Sequence, residues 1–136
     1  MAEFIFKRLV SEAGLSDAFF VASAATSTEE IGNPVYPPAK EMLWQHGITC
    51  EGKRAVQLRA EDYAAYDLLV CMDGANVRNA TRMCGGDPEG KIVKLMELTD
   101  RGGDVADPWY SGRFDIAYRD IEVGCRALLL RLGGAV

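Results

Sequence analysis

Residues 66–72, Tyr-Asp-Leu-Leu-Val-Cys-Met, form a near-continuous apolar run with helical patterns on either side. Such a run suits a strand covered on both faces, which is the situation of a strand inside a parallel sheet. The rest of the chain agrees. Residues 1–13 read as a helix, with Phe4, Ile5 and Leu9 on one side and Gly14 as its stop. Residues 19–24, FFVASA, read as a short strand, and 26–38, with Gly32, Asn33 and three prolines, as a loop. A helix is expected over 39–46, closed by Gly47, and a shorter one over 60–65. Residues 74–83 are expected to be helical up to Gly85-Gly86, 92–98 to be a third strand and 99–112 a loop. In the last segment Phe114, Tyr118, Ile121, Cys125, Leu128 and Leu132 recur at steps of four and three, the apolar stripe of a helix facing a core. Alternating strands and helices imply one α/β domain over 1–136 with a mostly parallel sheet. Three strands make a thin sheet for 136 residues, and none is N-terminal.

The chain is acidic, with net charge −5 and pI near 4.9. That argues against a nucleic-acid partner, which needs a basic face to displace counterions. No apolar stretch is long enough to span a bilayer, and the N-terminus has no signal-peptide pattern. The four cysteines, Cys50, Cys71, Cys84 and Cys125, include no C-x-x-C pair, and His46 is the single histidine. Neither a disulfide framework nor a zinc site is suggested, and no metal or cofactor is expected. Reduced thiols point to the cytoplasm.

Four segments carry a resemblance. They are MAEFIFKRLV at 1–10; SAATS at 23–27 with EIGNP at 30–34; HGI at 46–48 with EDYAAYDLLVCMD at 61–73; and DPWY at 107–110. In this order and spacing the chain resembles the low-molecular-weight protein tyrosine phosphatases over essentially its whole length. The resemblance implies a three-layer sandwich, doubly wound around a four-stranded parallel sheet, whose first strand lies centrally and leads into a C-x5-R-S-P loop. In such a loop a cysteine thiolate attacks phosphorus. The arginine, the backbone N–H groups and the next helix N-terminus hold the phosphoryl oxygens. An aspartic acid on a separate loop protonates the leaving phenolate and then activates water.

No C-x5-R occurs in these 136 residues: Cys50 precedes Arg54 too closely, Cys71 precedes Arg78 one position too far, and Cys84 and Cys125 have no suitable arginine. The chain is therefore read as a truncated member, without the central first strand and inactive by itself. A C-x5-R-S-P sequence encoded in frame upstream of Met1 would separate a shortened phosphatase from a non-catalytic interaction or self-assembly protein on the same fold. An arsenate reductase relative is a further alternative, and it too would need the loop cysteine.

By the resemblance, Asp107 is the general acid and base, although Asp-Pro is also a common turn. Trp109 and Tyr110 match aromatics that wall a substrate cleft, while Glu29 stands where many members have another aromatic. Ser23, Asp73 and Asn76 match polar supports of the catalytic loop, yet they suit ordinary strand-end and helix-cap roles equally well. Lys53 lies where many members have a histidine, Arg54 is read as a surface charge and His46 as a helix-end residue. The implied substrate of the full-length form is a phosphotyrosine protein or a small phosphoester. Losing a central strand would forfeit on the order of 6–15 kcal/mol of burial and leave strand edges unpaired. Oligomerisation, strand exchange or a rearranged sheet is therefore expected.

Overall fold

The structure is a computed structural model that describes residues 1–27 and 31–133, without the side chains of residues 109 and 110. Helix α1 spans Ala2–Glu12 and turns Ile5, Phe6, Leu9 and Val10 inward. It stops because Gly14 takes φ +74°, a left-handed conformation open to glycine, and the Leu15 N–H reaches back to the Val10 carbonyl at 2.9 Å. Helix α2, Pro37–Gln45, starts on two prolines whose absent N–H groups cost nothing in a first turn. Its Leu43 is fully buried. Gly47 (φ +75°) ends it, with the Ile48 N–H bonded to the Leu43 carbonyl at 2.9 Å. Helix α3 is the short Glu61–Ala65.

Strand β1, Leu69–Cys71, helix α4, Gly74–Met83, and strand β2, Ile92–Lys94, make a βαβ unit. The two strands are parallel, in register Leu69↔Ile92, Val70↔Val93, Cys71↔Lys94. After β2 the chain winds into a 3₁₀ turn, Leu95–Leu98. A four-residue helix α5, Pro108–Ser111, precedes the long α6, Phe114–Arg131. Helix α6 packs on α1, α2 and the 3₁₀ turn, while α4 packs on β1 and β2. The core joins Ile5, Leu9, Leu43, Leu95, Ile121 and Leu129. The architecture is helix-rich α/β with a parallel sheet.

Three expectations are corrected. Residues 19–24 belong to no ladder; pairing begins at Ala25, which bridges Gln57 in parallel through Ala25 N–H to Val56 O and Leu58 N–H to Ala25 O, both 2.8 Å. The expected strand at 92–98 stops at Lys94, because Leu95 and Met96 are buried from a 3₁₀ backbone rather than from alternate faces of a strand. The expected loop at 99–112 contains α5. Among the described residues the sheet has two strands, and β1 is bonded along one edge by β2.

Candidate functional site

The chain leaves β1 and turns at Met72-Asp73 into α4. Asp73 caps that helix, its Oδ1 accepting from the Asn76 N–H at 2.7 Å. Asn76 reaches back, its Oδ1 accepting from the Met72 N–H at 3.2 Å. The two side chains thus lock the carboxyl end of β1, the edge at which open α/β sheets place their ligands. The same turn receives the loop that carries Asp107, since the Val105 N–H donates to the Met72 carbonyl at 2.9 Å.

That loop is held by side chains from several elements. Lys94, at the end of β2, donates to Asp104 Oδ1 at 2.9 Å. This bond is the main reason that the Asp104 carboxyl sits below its ordinary pKa, with a further bond from the Gly74 N–H. Asp120 of α6 is buried; its Oδ1 accepts from Arg101 Nη1 at 3.0 Å and its Oδ2 from the Ala106 N–H at 3.0 Å. Arg101 also donates through Nη2 to the Asp104 carbonyl at 2.6 Å. Asp107 follows at the surface, directly before Pro108 opens α5. The side chains of Trp109 and Tyr110, and the whole of Glu29, lie outside the described residues.

Ser23 belongs to a second cluster, built on α1. Its hydroxyl donates to Glu3 Oε1 at 2.6 Å, Lys53 Nζ lies 2.7 Å from the same oxygen, and Lys7 Nζ lies 2.6 Å from Oε2. The Glu3 side chain is only 6% exposed. Burial by itself would raise its pKa, but the bonds from Lys53, Lys7 and Ser23 outweigh that and hold it at about 2. Lys53 also lines a groove of about 200 Å³ between Pro34-Val35 and the Cys50–Arg54 turn. Arg54 points to the Gly32 carbonyl at 3.4 Å, and His46 stacks on Tyr118 with ring centroids 3.8 Å apart.

Three of the cysteines have thiols shifted upward. Burial pushes the Cys71 thiol up to about 11, with Asp73 adding to the effect, and pushes Cys125 up to about 12. Cys84 is raised in the same direction, first by burial and then by Asp62 and Asp87. A reactive cysteine requires the opposite shift. Glu3, Arg101 and Asp120 were not singled out from sequence. A carboxylate at the third position of an apolar helix, or at the buried edge of another, was the available signal, but its partners lie 20 residues away for Ser23 and 19 for Arg101.

The family model for low molecular weight phosphotyrosine protein phosphatase matches residues 1–135. The chain is 32% identical to the low molecular weight protein-tyrosine-phosphatase YfkJ of Bacillus subtilis over 131 residues, covering 95% of this chain and 84% of that protein. It is 33% identical to the human low molecular weight phosphotyrosine protein phosphatase over 134 residues, with the same two coverages. The crystal structure of YfkJ superposes with a TM-score of 0.92 at 30% identity, over 97% of this chain and 84% of that one. The enzyme of Streptococcus pyogenes superposes with a TM-score of 0.86 at 33% identity, over 96% and 82%. The chain belongs to the low molecular weight phosphotyrosine protein phosphatase family.

Proposed function

We propose that this protein serves the hydrolysis of phosphotyrosine or a related phosphoester, and that its 136 residues supply the acid and the scaffold but not the nucleophile. Asp107 is the general acid that would protonate the leaving phenolate and then take a proton from the attacking water. Support for its role comes from the Val105 bond, which brings its loop to the carboxyl end of β1 beside Asp73 and Asn76. Trp109 and Tyr110 would wall the substrate ring, and Ser23, Asp73 and Asn76 would support a phosphate-binding loop. The observation that carries the inactivity is the thiol inventory: no cysteine begins C-x5-R, and Cys71, Cys84 and Cys125 are all pushed above the ordinary thiol range. A phosphocysteine therefore has no place to form on this chain.

Incubated with an aryl phosphate, the 136-residue chain is expected to release product no faster than buffer, with no effect of vanadate. Vanadate-sensitive turnover would overturn the reading. We place the protein in the cytoplasm, a reading supported by four free cysteines. No helix among the described residues is long and apolar enough to cross a membrane. Self-association or strand exchange between copies belongs to the same proposal, and its support is the strand β1, bonded along one edge among the described residues.

A further inference from the structure

We infer that Asp120, acting with Arg101, is a positioning residue that sets the backbone from which Asp107 projects. This rests on the reading of Asp107 as the general acid. Asp120 lies on the first half of α6, 13 positions after Asp107 in sequence, and its carboxylate is buried. Both of its oxygens are committed to the acid loop: Oδ1 to Arg101 Nη1 and Oδ2 to the Ala106 N–H, each at 3.0 Å. Ala106 immediately precedes Asp107, so the second bond fixes the 105–106 peptide, one residue before the acid. Arg101 closes the loop on itself by donating to the Asp104 carbonyl at 2.6 Å. One carboxylate therefore ties both ends of a six-residue span, 101–106, to the longest helix among the described residues.

The chemistry calls for such a clamp. A general acid works only when its proton lies within hydrogen-bond reach of the leaving oxygen, and errors of about 1 Å are costly. An exposed loop does not hold that tolerance unless its backbone N–H groups are bonded to a rigid partner. A charged acceptor binds an N–H group more strongly than a neutral one. A burial-only role for Asp120 would not require the Ala106 N–H as a partner; the arginine alone would neutralise the charge.

The test is amide hydrogen exchange and carbon NMR on the full 136-residue chain, comparing wild type with Asp120→Ala, Asp120→Asn and Arg101→Lys. Asp120→Ala should speed exchange at Ala106 by about tenfold or more and move the carboxyl-carbon resonance of Asp107, with the amides of Leu9 and Val10 in α1 unchanged. Asp120→Asn keeps an acceptor for Ala106 and should restore most of the protection and the Asp107 resonance. Arg101→Lys should give an intermediate effect. Exchange rising equally through α1 and the loop, or an Asp107 resonance unmoved in Asp120→Ala, would overturn the proposal. If Asp120→Ala does not fold, the asparagine and lysine variants decide by the same local comparison. These readouts are independent of turnover. Hydrolysis by the chain would therefore strike at the proposed function and leave the clamp standing, whereas an unmoved resonance would do the reverse.

Discussion

Glu3 shows how one side chain can hold a polar cluster together. Its carboxylate receives two lysines and a serine while nearly buried, and its pKa falls to about 2. A carboxylate whose folded pKa is depressed adds stability above its unfolded value, and that contribution is lost as pH falls toward the folded value. The advantage of wild type over Glu3→Gln should therefore be present at neutral pH, shrink below the ordinary glutamate range and be nearly gone near pH 2. Lys7 and Lys53 are partly solvated, so its size at pH 7 is about 1–3 kcal/mol; urea denaturation at several pH values measures it. At this scale the sequence was legible where chemistry is local. Asp73 three residues before Asn76 is a helix cap that can be read directly, and the structure has that bond at 2.7 Å. Ser23 is legible as a polar position, but its bond to Glu3 is not, because nothing in a single sequence says which distant carboxylate a serine will meet. Asp120 was hidden for the same reason. Its neighbours in α6 mark it as a polar residue at the edge of an apolar stripe, and only the fold brings Arg101 and Ala106 to it.

Among the elements, helices were legible because their stops are chemically explicit: Gly14 and Gly47 end α1 and α2 where expected, and α4 spans Gly74–Met83 as read. Strands were less legible. Residues 92–98 are apolar enough for a strand, but the outcome depends on α6. There Gly124 leaves a notch into which Leu95 fits, and a Cβ at 124 would stand 2.5 Å from Leu95 Cγ. Leu95 is only 1% exposed, and Thr99 fastens the end of the 3₁₀ turn by donating to the Met96 carbonyl at 2.6 Å. In an open helix Gly→Ala adds roughly 1 kcal/mol of stability. Here the contact is with the branch point of a buried leucine, and overpacking costs about 1–3 kcal/mol. Three Leu95 carbons within 3.1 Å of that Cβ put the cost at the upper end of this range, so Gly124→Ala should be net destabilising, lowering Tm by roughly 2–8 °C in a thermal melt.

For the molecule as a whole, the alternation of strands and helices was enough to assign the α/β class, and four short segments were enough to indicate the family. The sheet was not legible to the same degree. The apolar character of FFVASA suggested a strand, but a strand exists only where a neighbour accepts its bonds, and in the structure pairing starts one residue later, at Ala25. Phe20, in that segment, is 81% exposed and meets Tyr66 at 6.0 Å between ring centroids. Exposed apolar surface, together with a strand β1 bonded along one edge among the described residues, favours association. Size-exclusion chromatography with light scattering should accordingly report a mass of two or more chains at micromolar concentration, and a stable single-chain mass would refute the self-association proposed above. The notch between Leu95 and Gly124 also bears on how such a chain can change over generations. A larger residue at 124 costs less in a lineage that has first trimmed position 95, so the two sites are expected to change together, with position 95 favoured as the first step.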